Sequence, residues 1–238
     1  MNTTSRTPTQ AGPPLGVLAL VSTLLLVAGV AGAAALAGQT YPSPYADPEV
    51  IRAFFAGPPL AVTIGGTAVF ASAIPLLIYA ATVSARLRRL GVTAPGATIA
   101  LAGGVAGAGM LALSGLLQWV LGRPAVLTDE SLVRALHDLS FLTGGPAHVV
   151  FLGLLVAGVA VPGLLLGLLP RALAVAGLVI AAIAELSTLA LLWTHLSVLI
   201  PLGRFPGLLW LIVVGFRLPQ RRSHDPAGSG SAQPEQAG

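Results

Sequence analysis

Residues 172–193 read ALAVAGLVIAAIAELSTLALLW, twenty-two positions with one ionisable side chain, Glu185. A helix needs about 20 apolar residues to cross about 30 Å of hydrocarbon, so this stretch predicts a membrane span. Working outward, 146–169, 97–121, 59–82 and 14–37 read the same way. A sixth segment, 196–216, is weaker: Pro201, Gly203, Arg204, Pro206 and Gly207 interrupt it and leave only 208–216 unbroken. The expected fold is all-α, a six-span transmembrane helix bundle over residues 13–219, with residues 1–12 and 220–238 read as disordered cytoplasmic ends on their polar, Gly/Ser/Pro-rich composition.

Composition agrees. The chain has 238 residues, 55% hydrophobic and 8% charged, against about 25% charged in a soluble domain. Too few ionisable groups are present to coat a water-facing globule. With no cysteine, disulfides, thiolate metal sites and a cysteine nucleophile are excluded. All twelve basic residues are arginine, and they are scattered between apolar segments, which excludes a nucleic-acid stripe and marks them as topology determinants. With the N-terminus inside, Arg6, Arg86, Arg88, Arg89, Arg171, Arg217, Arg221 and Arg222 fall on the cytoplasmic side, and Arg52, Arg123, Arg134 and Arg204 fall outside or within the bilayer. The positive-inside rule then places both termini in the cytoplasm. Ala35-Leu36-Ala37 before Gly38 is similar to a signal-peptidase site, but the apolar run preceding it exceeds the usual length.

Two outer loops have some size. Tyr41-Pro42-Ser43-Pro44-Tyr45 suits an extended surface segment with tyrosines at headgroup depth. After it, 48–55 predicts an interfacial helix turning Val50, Ile51, Phe54 and Phe55 to lipid. In the second loop, 128–143 predicts an amphipathic helix with Thr128 as N-cap and Leu132, Leu136 and Leu139 on one face, ended by Gly144-Gly145, with Pro146 opening the fourth span. Gln118, Trp119 and Trp193 read as interface anchors. Small-residue pairs Gly103/Gly107 and Gly163/Gly167, the latter beside a kinking Pro162, are candidate helix contacts.

Chemistry centres on Glu185, because an ionisable group at membrane depth is costly and faces a partner or a cavity. Spans five and six are joined by a tight turn, which puts Arg204 at a similar depth and predicts a Glu185–Arg204 pair, with Thr188 supporting the carboxylate. The surrounding Pro201-Leu-Gly-Arg-Phe-Pro-Gly207 reads as a broken helix, the kind of place where transporters bind substrate. A structural ion pair or a snorkelling arginine is the plainer alternative. His137 with Asp138, His148 and His195 gather near the outer face. Three imidazoles and a carboxylate are weak metal or proton-relay candidates, since no His pair has ligand spacing; His224 lies in the tail. Ser114, Ser187, Thr188 and Ser197 lack any nucleophile motif, and no nucleotide fingerprint is present.

On Arg134-Ala-Leu-His137-Asp138-Leu, Leu142-Thr-Gly-Gly-Pro146, Pro201-Leu-Gly-Arg-Phe-Pro-Gly207 and the Tyr41–Tyr45 loop, residues 14–219 resemble an uncharacterised group of six-span actinobacterial membrane proteins. The resemblance implies a bacterial plasma membrane and carries no activity or site residue. The leading functional expectation is a protein that binds or moves a small solute or proton through the outer-half polar cluster. The alternative is a non-catalytic accessory or sensor subunit docking a partner through 128–143. An enzyme is disfavoured, no cofactor is implied, and the open partners are the bilayer, a second copy or a membrane protein.

Overall fold

A computed structural model describes residues 12–220. The sequence-based expectations for 1–11 and 221–238, including Arg6, Arg221, Arg222 and His224, lie outside the described residues. Eight α-helices follow one another: α1 (Leu15–Ala37), α2 (Pro48–Phe55), α3 (Pro59–Arg89), α4 (Gly96–Leu121), α5 (Glu130–Leu142), α6 (His148–Leu165), α7 (Arg171–Leu186) and α8 (Leu199–Arg217). Six helical segments are long and apolar enough to span a bilayer. Their outward faces carry Leu24, Leu77, Leu165, Val179, Leu209 and other large apolar side chains, a surface that water would not tolerate and lipid would. The chain is an all-α, six-span membrane bundle.

The spans form a ring in which each packs on the next, α1 on α3, α3 on α4, α4 on α6, α6 on α7 and α7 on α8, and α8 closes back onto α1. Side chains bonded to a neighbouring helix's carbonyl tie the ring, because a polar group in hydrocarbon needs a partner. Ser22 donates to the Ser72 carbonyl at 2.8 Å, Ser84 to Ala97 at 2.7 Å, Tyr79 to Leu211 at 3.2 Å and Trp210 to Leu173 at 2.8 Å. Of the two small-residue pairs, Gly103/Gly107 does lie on a helix contact: a Cβ on Gly103 would stand 2.7 Å from the Leu155 nitrogen of α6. Gly163/Gly167 does not. Gly163 faces Leu169 of its own chain turn, and Gly167, at φ 63°, is a left-handed residue beyond the helix end.

Several elements differ from expectation. α3 runs to Arg89 rather than stopping at 82, since arginines suit the negative end of a helix. The α5 helix is capped by Asp129, which accepts from the Leu132 nitrogen at 3.1 Å, while Thr128 bonds back to Ala125. Gly144-Gly145 does not end it. A π-helical turn over Thr143–Ala147 carries the axis into α6, making one helix of 36 residues. At 1.5 Å per residue that is about 54 Å, so α5 stands beyond the hydrocarbon at one end of the bundle. The wider turn absorbs Pro146, which has no N–H to offer. Nor is α8 broken at 201–207. Pro201 sits in its first turn, where its missing N–H costs nothing, and the helix passes through Pro206. The irregular backbone lies just before, in the 3-10 stretches Ser187–Leu191 and Thr194–Val198.

Candidate functional site

The end of the bundle opposite Arg86, Arg88, Arg89, Arg171 and Arg217 is covered by a cap made of the 39–47 loop, α2 and α5. Helix α2 has the expected bounds but the opposite orientation: Val50 is 51% exposed, whereas Ile51, Phe54 and Phe55 are buried. They pack with Leu121 and Val133 rather than on lipid. Tyr41 is the hinge of this cluster, edge-on to Phe54 and Phe55 at 5.3 and 5.9 Å between centroids. The loop is held by Arg134, whose guanidinium donates to the Pro44 carbonyl at 2.7 Å, the Ala46 carbonyl at 3.2 Å and Asp138 at 3.0 Å. Burial pushes the Tyr41 phenol above its ordinary pKa, and the Ser140 hydroxyl offsets part of that rise.

The buried face of α5 is not the leucine stripe. Val133, His137 and Ser140 turn inward, while Leu132 and Leu139 are 42% and 44% exposed. Below the cap, Ser140 meets Ser114 of α4. The Ser114 hydroxyl donates to the Ser140 carbonyl at 2.9 Å, and Gln118, one turn along, donates to Ser114 at 3.3 Å. A Cβ on Gly144 would collide with Ser114, so glycine is what lets the π turn press against α4.

Arg204 enters from α8. One of its terminal nitrogens donates to the Gly144 carbonyl, and its Nε is buried with no hydrogen-bond partner. The Arg204 residue borders two spaces. The first is a cavity of about 200 Å³ lined by Tyr41, Ser114, Gln118, Ser140, Gly144 and Arg204 among apolar neighbours. The second, of about 400 Å³, is a fissure between α1 and α8 lined by Leu26, Val27, Val30, Ala31, Ala34 and Phe205, with Tyr41 and Arg204 at its inner edge. Arg204 is the single charged side chain on either wall.

The expected Glu185–Arg204 pair does not form. Gly203 packs on Ala184, where an added Cβ would lie 3.0 Å from the Ala184 Cα. The residues one position further, Arg204 and Glu185, are rotated about 100° off that contact. Glu185 rests in a notch of α6 at Gly153, its Oε1 buried and unpartnered. Thr188 does not support the carboxylate; its hydroxyl donates to the backbone carbonyl of Glu185 at 2.7 Å.

The histidines separate. His148 is fully buried at the start of α6, where Nδ1 donates to the Gly107 carbonyl at 2.9 Å and Nε2 has no partner. His137 is fully buried in the cap, 3.5 Å from the Tyr41 hydroxyl through Nδ1 and edge-on to Phe55 at 5.6 Å between centroids. Exposed His195 sits on a 3-10 turn, and Asp138 is taken by Arg134. Among the described residues no group of three His, Asp or Glu side chains could hold a metal ion, so the weak metal candidates His137, His148 and His195 are not brought together.

Of the polar residues that line the cavity, the sequence reading points to Arg204 alone as a site residue. Tyr41 reads as a surface tyrosine at headgroup depth, Gln118 as an interface anchor and Ser114 as a hydroxyl without a nucleophile motif. The signal that could have found them is the spacing of Ser114 and Gln118, four apart on one face of an otherwise apolar helix. Compared with protein-family models, with curated proteins and with solved structures, the chain has no match.

Proposed function

We propose that this protein binds a small anionic solute inside the capped half of the bundle, with Arg204 as the charge that selects it and Ser114, Gln118, Ser140 and Tyr41 as neutral hydrogen-bonding groups around it. The observation that carries the reading is Arg204, the one charged side chain lining the cavity, whose buried Nε has no hydrogen-bond partner. Such a group costs free energy unless a ligand or water meets it, and a planar guanidinium is suited to a carboxylate or phosphate. The proposed setting is the plasma membrane of a bacterium, within the actinobacterial group that the chain resembles, with the cap outside and both termini in the cytoplasm. The alternative, docking of a membrane partner along 128–143, keeps Leu132 and Leu139 as its surface, since Leu136 packs into the cap.

The test is thermal unfolding of purified protein in a non-ionic detergent with butyrate or inorganic phosphate, against chloride at equal ionic strength. A ligand that binds the folded state stabilises it by RT ln(1 + [L]/Kd), about 2 kcal/mol at thirty times Kd. The expected result is an anion-specific rise in melting temperature that Arg204→Gln abolishes. No rise in the native protein, or the same rise in the variant, sinks the reading.

A further inference from the structure

We infer that the fissure between α1 and α8 is a lateral portal, and that the anion seated at Arg204 is the head of a single-chain amphiphile, a long-chain carboxylate entering from the bilayer. The inference deepens the function proposed above and rests on it.

The portal follows from how α1 packs. At one end α1 and α8 touch backbone to backbone: a Cβ on Gly215 would fall 2.7 Å from the Gly16 Cα, and one on Gly16 would overlap the ring of Phe216. Further along, the close contacts of α1 go to α3 instead. A Cβ on Gly29 would stand 2.7 Å from the Ala68 Cβ, and one on Gly65 would stand 2.8 Å from the Ala33 Cβ. Helix α1 therefore leans on α8 at the terminal end and on α3 at the capped end. The gap this opens is the fissure, walled by Leu26, Val27, Val30 and Ala34 on one side and Phe205 on the other. From 26 to 34 it runs about 12 Å along the axis, apolar over that stretch, until it reaches Thr40, Tyr41 and Arg204.

Three features choose the occupant. The walls are apolar and face lipid, so an acyl chain costs nothing to place there. The inner edge holds one positive charge and no other charged group, which matches a monoanion better than a dianionic phosphate monoester. The aqueous end lies under the cap, closed by the aromatic cluster of Tyr41, Phe54 and Phe55 and by the Arg134 clamp on the loop. An amphiphile therefore reaches Arg204 with its head inward and its tail still in the bilayer. The fissure and the polar cavity share Leu26, Val30, Tyr41 and Arg204, so the head passes from one to the other without crossing the apolar wall.

The experiment is photolabelling of the full chain in phosphatidylcholine nanodiscs with a diazirine-bearing palmitate, mapped by peptide mass spectrometry. Labelling is expected within residues 26–34 and at Phe205, competed by palmitate and not by the neutral hexadecanol. Arg204→Gln should lower it at least about tenfold, the scale of one charge-assisted hydrogen bond, while Arg204→Lys retains part of it. Ala31→Phe, which fills the fissure from its lipid-facing side, should lower it as well, with the ligand-free melting temperature serving as a check on folding. Equal labelling in Arg204→Gln or in a folded Ala31→Phe, or equal competition by hexadecanol, overturns the portal. Stronger competition by lysophosphatidate than by palmitate overturns the carboxylate assignment. Stabilisation by butyrate without specific palmitate labelling overturns the inference and leaves anion binding standing; absence of both overturns the two together.

Discussion

Arg204 of α8 donates to the carbonyl of Gly144 in the π turn and leaves Glu185, on the adjacent helix, without it. The two charges that share a membrane depth are thus energetically separate. A double-mutant cycle of Arg204→Gln and Glu185→Gln, read by thermal unfolding in detergent, should be additive within about 0.5 kcal/mol. Arg204→Gln alone should cost about 1–3 kcal/mol, because it strips the Gly144 carbonyl of a charged donor. Glu185→Gln should melt at or above the native protein, since it removes a carboxylate whose buried Oε1 has no hydrogen-bond partner. A coupling above about 1 kcal/mol would mean that the two side chains meet after all.

How far the sequence carried, and where it stopped, follows from what each signal encodes. Span number and position were legible because the scarcity of charge and the length of apolar runs are one-dimensional properties. Helix α2 was legible in its bounds, 48–55. The facing of elements was not. Spans five and six were correctly placed as neighbours, yet adjacency fixes depth and leaves azimuth free; the Gly203–Ala184 contact sets the azimuth, and it turns both charges away from each other. Thr143-Gly-Gly-Pro146 read as a helix stop because glycine and proline usually are one. What holds it helical is packing on Ser114, a residue about thirty positions away that no local pattern reports.

The same α4 helix offers a contrast between two glycines. Gly103 faces α6 with backbone 2.7 Å from where its Cβ would stand, whereas Gly109 has nothing within 4 Å. Gly103→Ala should destabilise the bundle by about 1–3 kcal/mol through forced separation of α4 and α6. Gly109→Ala should be neutral or stabilising by up to about 1 kcal/mol, from helix propensity alone. Melting curves of the two variants in one detergent decide it, and equal losses would contradict the packing.

The cap depends on Arg134 more than on the ion pair it makes. Arg134 and Asp138 have side chains 37% and 42% exposed, so their charge pairing is screened and worth little. The bonds to the Pro44 and Ala46 carbonyls are what fasten the loop. Arg134→Ala should speed amide exchange across residues 40–56 at least several-fold, and Asp138→Ala should change it far less. Hydrogen exchange with peptide resolution reads both, and equal effects would return the role to the ion pair.

Tyr41 makes the cap sensitive to alkali. Its phenol has a raised pKa in the folded protein, so folding favours the neutral form. The stabilisation from that preference is complete below the unfolded value of about 10 and is lost progressively as pH rises above it. Exchange across 40–56 should therefore accelerate above about pH 10 beyond the intrinsic base-catalysed rate, and Tyr41→Phe should remove the excess. A wild-type excess that survives in Tyr41→Phe would assign the alkaline opening to another group.

Orientation is open to a direct test because the chain has no cysteine. Arg86, Arg88, Arg89, Arg171 and Arg217 all fall at the end away from the cap, and the excess of arginine there is the basis for proposing that this end is cytoplasmic. Ser43 lies exposed in the cap loop and Thr93 lies exposed in the turn between α3 and α4, at the opposite end. In bacterial cells producing single-cysteine variants, a membrane-impermeant thiol reagent should modify Ser43→Cys in intact cells and Thr93→Cys only after permeabilisation. The reverse pattern would put the cap inside, and Arg204 would then face a ligand supplied from the cytoplasmic leaflet.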